Sequence, residues 1–159
     1  MNFPPVPPHS QRGMALLVSL VFLLLLTLIG ISSMQNATLQ EKMAGSVTLR
    51  NQSFQAAEAA LRVGESAVQL ETYSLPVCTS VTQCAPPAEA SLITAAGFYS
   101  SSGVTWIASG NGFYGVQYLG TTRGAVKLPT DDTVKLYRVT AVGIAGNSRS
   151  VVESIYAKY

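Results

Sequence analysis

Charge is scarce in this chain. Only 11% of its 159 residues are Asp, Glu, Lys or Arg, and the net charge is +2. So small a positive balance gives no electrostatic footprint for a nucleic-acid partner. Histidine occurs once, at His9. From residue 14 onward there is therefore no imidazole for base catalysis or for a histidine-rich metal site. Cysteine occurs twice, at Cys78 and Cys84, and proline is absent between Pro8 and Pro76. A gap of that length leaves room for an uninterrupted helix. Neither a Gly-rich phosphate loop ending in lysine nor a G-x-S-x-G elbow is present. Asp131-Asp132 follows Pro129 and reads as a turn, with too few oxygen donors at defined spacing for calcium. These absences argue against an enzyme and against a bound cofactor or metal.

What is present begins with an apolar run. Positions 13–40 carry no charge, and Met14–Ile31 is broken only by Ser19, Thr27 and Gly30. With Ser32, Ser33 and Met34 the run reaches 21 residues, enough at about 1.5 Å per residue to cross a bilayer core of roughly 30 Å. It is longer than a secretory core of about 7–15 residues. Arg12 and the chain's amine precede the run, and no basic residue follows until Lys42. The positive-inside tendency therefore predicts a cytoplasmic N-terminus and a head on the far side.

The helical pattern does not stop at the membrane boundary. Phe54, Ala57, Leu61 and Val68 recur at helical spacing, widened by Ala60, Val63, Ala67 and Leu70. Gln55, Glu58, Arg62, Glu65 and Gln69 occupy the opposite face. The spacing predicts one rod of about 88 Å from residue 14 to about 72, weakened at Gly30, Gly45 and Gly64, with Gly45 marking a bend. The 54–68 stripe is expected to pack on the following domain. Ala15, Ser19, Gly30, Ser33 and Ala37 would permit close approach of other helices. Residues 1–13, "MNFPPVPPHSQRG", are Pro-rich and cannot continue a helix. A peptidase cutting at their end would remove a leader and leave the anchor in place. An uncleaved tail on a single-pass protein is the alternative.

"GISSMQNATLQEKMAGSVTLRNQSFQAAEAALRVGE" (residues 30–65), preceded by a basic-Gly pair and an apolar helix, resembles the N-terminal region of PilX-type minor pilins of type IV pili. The specific parts are "LQEKMAG" (39–45) and "FQAAEAALR" (54–62). "FYGVQYLG" (113–120) and "LYRVTAVGIAG" (136–146) resemble the family loosely. The resemblance implies a prepilin leader over 1–13, with Arg12 as its basic residue. It also implies cleavage by prepilin peptidase between Gly13 and Met14, and methylation of the new amine on Met14. The helix would be held in the inner membrane and then join other minor and major pilins in the fibre. The subunit would help to start the pilus, at or near its tip, in contact with a tip adhesin. That fibre could serve twitching motility, DNA uptake or attachment. One position departs from the pattern: most pilins carry glutamate at the fifth mature position, and here that residue is Val18. A subunit with valine there cannot pair with the amine of an adjacent subunit, as the first subunit laid down would not need to. A type II secretion pseudopilin, or an anchored binding domain that never polymerises, are the competing readings.

The expected fold class is α+β, divided into 1–13 leader, 14–34 membrane and fibre-core helix, 35–72 amphipathic continuation and 73–159 β-rich periplasmic head. Cys78 and Cys84 enclose "TSVTQ". A disulfide there would persist in the periplasm and constrain the unfolded chain by roughly 2 kcal/mol; free thiols and metal binding are the other uses of such a pair. A short helix is expected at 88–96, and strands at 104–108, 113–119, 125–128, 134–143 and 149–157, the last two joined through "GIAGNSRS" (143–150). Trp106, Phe113, Tyr114 and Tyr118 are expected as core or strand-surface packing rather than a binding patch. The sequons Asn36-Ala37-Thr38 and Asn51-Gln52-Ser53 lie on the predicted helix and are read as chance.

Overall fold

The computed structural model describes residues 12–123 and 133–159. It contains a long helix α1 (Arg12–Gln69), a one-turn helix α2 (Val81–Cys84) and a 3-10 turn (Ala88–Ser91). Five strands follow: β1 (Gly97–Tyr99), β2 (Val104–Ser109), β3 (Gly112–Thr122), β4 (Val134–Ala145) and β5 (Ser148–Lys158). The strands form one antiparallel sheet in sequence order. This is the α+β, pilin-like layout expected from the sequence. The chain divides into two compact units, Met1–Ala44 and Gly45–Tyr159.

In the first unit, described from Arg12, every residue is helical, and those whose side chains are described are solvent-exposed. The described helix includes Arg12 and Gly13, two residues before the expected start at Met14. The prolines stop at Pro8, so Arg12 and Gly13 have nothing that forbids helical dihedrals. Helical assignment continues through Gly45, where the units divide.

In the second unit the end of α1 packs on the sheet through part of the predicted stripe, Ala57, Ala60 and Val68 with Leu61 beside them, joined by Ser53 and Gly64. The buried residues are Ser53, Ala57, Ala60, Gly64 and Val68, whereas Phe54, Val63 and Leu70 are exposed. The cause is how close the two backbones come. A Cβ built on Gly143 of β4 would lie 2.0 Å from the Ser53 carbonyl oxygen and 2.2 Å from the Ala57 nitrogen. One on Gly64 would lie 2.6 Å from Val139 Cγ1. Only small side chains fit where the backbones touch, so Ser53, Ala57, Ala60 and Gly64 line the seam while Phe54 and Val63 turn outward. The Ser53 hydroxyl donates to the Arg50 carbonyl at 2.9 Å and lies 2.8 Å from Ser150 Oγ and 3.2 Å from Ser148 Oγ on β5. Its polar atom is thereby satisfied at zero exposure.

Strand alternation sorts the core into two layers. On the helix side lie Tyr114 and Val116 of β3 and Tyr137, Val139 and Ala141 of β4, packed with Ala60 and Val68. On the other side Val104, Trp106 and Val142 pack with Ala90 and Ile93 from the segment after the cysteines. Both faces are therefore covered, which explains why β4 is buried at nearly every position from Tyr137 to Gly143. The expected helix at 88–96 reduces to the 3-10 turn at Ala88–Ser91. The predicted helix end near 72 falls at Gln69, where Lys158 Nζ donates to the Leu70 carbonyl. Strand β1 had no counterpart in the sequence reading: three residues are too few for a periodic signal. The strand expected at 125–128, and Asp131-Asp132, lie outside the described residues. The β4–β5 connection is a two-residue turn, Gly146-Asn147, flanked by the Ala145↔Ser148 pair. Gly146 has φ +54, the left-handed value such a turn requires.

Candidate functional site

The first candidate surface is the apolar helix face. An 18-residue window of α1 reaches a mean hydropathy of 2.9 with none of it buried, so by length and composition the helix can cross a membrane. Its hydroxyls cost little in such surroundings because the helix satisfies them itself. Ser19 Oγ donates to the Leu16 carbonyl at 2.9 Å, Thr27 Oγ1 to Leu24 at 2.8 Å and Thr38 Oγ1 to Met34 at 3.0 Å. Gly13 has open space around its Cα, and Met14 and Val18 are exposed one helical turn apart. Among the described residues of this unit, no charged side chain precedes Glu41 from Gly13 onward. A neighbouring helix approaching this face would meet only apolar and small residues near Val18.

The second candidate is the cysteine loop. Cys78 and Cys84 are joined by a disulfide, with Cα atoms 5.3 Å apart. Ser80 caps α2, accepting from the Gln83 amide at 3.2 Å. At the other end the loop's carbonyls are gripped from the sheet. Gln117 Nε2 donates to the Gln83 carbonyl at 2.6 Å and to Ala85 at 3.0 Å. Arg138 donates through its Nη1 to the Cys84 carbonyl and to Gln117 Oε1, and its Nε pairs with Glu153 at 3.0 Å. A cation against the last carbonyls of a helix complements their partial negative charge. Cys78 N donates to the Tyr118 carbonyl at 2.9 Å, which ties the loop's start to β3. Sequence reasoning found the cysteines and missed their holders. The available signal was Gln117 and Arg138, two long polar side chains inside strands rich in apolar residues.

Two further clamps hold the segment after the loop. Glu89 Oε1 accepts from Ser102 Oγ and, at 3.4 Å, from Trp106 Nε1. Arg149 Nη1 donates to the Ile93 carbonyl. Trp106 and Tyr114 are buried, and Phe113 and Tyr118 half-buried, so the aromatic residues serve the core as expected. Thr140 Oγ1 is buried with no hydrogen-bond partner. Thr140→Val removes that unsatisfied hydroxyl at nearly constant shape, and the expected result is a gain of about 1 kcal/mol, read from denaturant midpoints of the full chain.

Tyrosines cluster at one end of the helix-side layer. Tyr118 stacks on Tyr137 with ring centroids 5.0 Å apart, and Tyr73 meets Tyr137 edge-on at 6.0 Å. Burial, then the neighbouring Tyr114 and Tyr137, push the Tyr73 hydroxyl up to about 12. Burial, then Tyr118, also raises Tyr137. A phenol raised on folding holds its proton longer in the native state than in the unfolded chain. Its contribution is therefore intact below pH ~10 and lost as pH rises from ~10 toward the folded value. Melting temperatures taken between pH 9 and pH 12 are expected to fall, and Tyr73→Phe to make that fall shallower. An equally steep fall in the variant would remove Tyr73 as its cause.

Among the described residues, no group of three or more His, Cys, Asp or Glu side chains could hold a metal ion. A long apolar helix whose continuation packs on a five-stranded antiparallel sheet, with a disulfide loop on the sheet's far face, is a pilin-like α+β layout. Residues 12–62 match the family model described as PilX N-terminal. The match covers the helix and stops before the head. No curated protein and no solved structure matches the chain.

Proposed function

We propose that the protein is a minor pilin of a type IV pilus, a structural subunit rather than an enzyme, acting at the start of fibre assembly and residing at or near the tip. The observation that carries this reading is an uncovered apolar helix whose residues 12–62 match the PilX N-terminal family. Prepilin peptidase cuts between Gly13 and Met14, Arg12 serves as the leader's basic residue, and Met14 receives the methyl group. Before assembly the helix holds the chain in the inner membrane with its N-terminus cytoplasmic and its head periplasmic, where the Cys78–Cys84 disulfide persists. The helix then exchanges lipid contacts for packing against other minor and major pilins.

Val18 supports the tip assignment. An apolar side chain at that point of the exposed face offers no carboxylate to the amine of a preceding subunit. A subunit with nothing ahead of it does not need one. A tip adhesin is the expected neighbour of the head.

Intact mass and N-terminal sequence of the protein from membranes test this reading. A chain beginning at methylated Met14 is expected. A chain beginning at Met1 would overturn the processing and leave a plain anchored domain. A start after Ser32 would make the helix a discarded signal.

A further inference from the structure

The ring from Cys78 to Cys84 is closed by more than its sulfur bond. Just inside the disulfide, Thr79 donates to Gln83 Oε1 through its amide at 3.3 Å and its hydroxyl at 3.0 Å. Further in, the Ser80 carbonyl accepts from the Cys84 amide and the Val81 carbonyl from the Ala85 amide, both at 2.9 Å. These rungs join the same two ends of the loop that the sulfurs join.

Each cysteine is also fastened to the sheet by its own main chain. The Cys78 amide donates to the Tyr118 carbonyl of β3 at 2.9 Å. The Cys84 carbonyl accepts from Arg138 Nη1 of β4, and its neighbours Gln83 and Ala85 accept from Gln117 Nε2 of β3. The two holders are themselves set by the sheet. Gln117 and Arg138 face each other in the β3–β4 register, and Arg138 Nε is held by Glu153 of β5 at 3.0 Å. A hydrogen bond from a charged donor is roughly twice as strong as a neutral one, so the grip on Cys84 does not need the sulfurs. The 5.3 Å between the two Cα atoms is therefore a spacing that strands β3 and β4 impose.

The sulfur pair is also within reach of solvent. Both cysteines are half-buried rather than enclosed, and they border an open depression of about 530 Å³ with Thr79, Ser80, Val81 and Ala85. No charged side chain lines it, so no carboxylate there repels an incoming thiolate.

We infer that Cys78 and Cys84 are a reversible dithiol–disulfide pair, opened by a dithiol while the head stays folded. A thiolate of the dithiol attacks one sulfur, forming a mixed disulfide and expelling the other cysteine as a thiolate. The second thiolate of the reagent then displaces the remaining cysteine, and the reagent leaves as a disulfide. Two electrons and two protons pass from the reagent to the pair. The hydrogen bonds keep both thiols in place, so an oxidising disulfide closes the bond again at the same site. Without a dithiol the bond persists. The pair lies wholly within the head, and its chemistry does not depend on the pilin reading.

The test treats the full chain in detergent micelles with dithiothreitol at mildly alkaline pH, then labels thiols and reads mass. Two thiols are expected to appear within ~10-fold of the rate for the same chain unfolded in urea. A bond that opened only on global unfolding would react roughly 10³-fold more slowly or worse. In the reduced chain, amide exchange at Cys78, Cys84 and Ala85 should speed by less than ~10-fold, with the Trp106 dichroism band unchanged. Oxidised glutathione should then restore the oxidised mass. Arg138→Met loosens the grip on Cys84, so on reduction its loop amides should lose at least ~10-fold more protection than those of the native chain. If that variant does not fold, exchange in the reduced native chain decides the same point. Reduction no faster than global unfolding, loss of the loop's protection in the reduced native chain, or failure of the bond to re-form would each overturn the proposal.

Discussion

Gly143→Val is expected to leave the chain without a folded head. The residue lies on β4 where the strand crosses α1, and the two backbones touch there. A Cβ at this position would sit 2.0 Å from the Ser53 carbonyl oxygen, 2.2 Å from the Ala57 nitrogen and 2.9 Å from the Ala56 carbonyl carbon. All three are backbone atoms of a helix, so no rotamer change relieves the clash. Either the helix lifts off the sheet, exposing Ala57, Ala60 and Val68, or β4 shifts and loses its pairing with β3 and β5. Both exceed the ~1–3 kcal/mol typical of overpacking, and a loss of more than about 4 kcal/mol is expected, a large part of a small domain's stability. Near-ultraviolet dichroism of Trp106 and the tyrosines, with limited proteolysis of the full chain, reads the outcome. Gly45→Ala is the matched control. Its Cβ would meet nothing within 4 Å, and within a helix the change should be neutral or stabilising by up to about 1 kcal/mol. A Gly143→Val head with native dichroism and native protease resistance would show that the seam is looser than the structure has it.

The second large effect concerns the other end of the chain. In Gly13→Leu the mature mass should disappear, with the uncut chain accumulating in the membrane and absent from sheared fibres. The structure gives Gly13 open surroundings, so the substitution has no folding cost to confuse the result. The apolar run is untouched, so membrane insertion should be normal. The variant thus separates processing from anchoring: a bulky side chain obstructs only a peptidase that must accept the backbone at that point. The readouts are immunoblot mass, carbonate-resistant membrane association and recovery in sheared pili. Native mass and native fibre content would remove Gly13 from the processing site.

Glycine 143 also shows where sequence reading fails. In "LYRVTAVGIAG" it is one small residue in a strand, a local weakness and nothing more. Of its partner surface, Ala57 and Ala60 belong to the apolar stripe, but Ser53 and Gly64 carry no apolar signal beside Phe54 and Val63. Hydrophobicity alone chooses the larger residues for the core. The packing distance reverses that choice, and the distance belongs to two segments about ninety residues apart. Gln117 and Arg138 were hidden for the same reason: their function is to hold carbonyls of a loop that only the fold brings over them.

By itself the sequence determined what depends on neighbours along the chain. Charge absent from positions 13–40 fixes a helix that can enter lipid. The missing prolines fix its continuity, and alternating β-branched and aromatic residues fix strands β2 to β5. Cys78 and Cys84 stand close enough in sequence for a small disulfide ring, which the structure forms. Tertiary structure alone decided which residues of that helix face reach the sheet and which sheet face takes the disulfide loop. Those outcomes are set by steric fit and hydrogen-bond satisfaction between distant segments. A one-dimensional pattern carries the polarity of each segment but not the distance at which two of them meet.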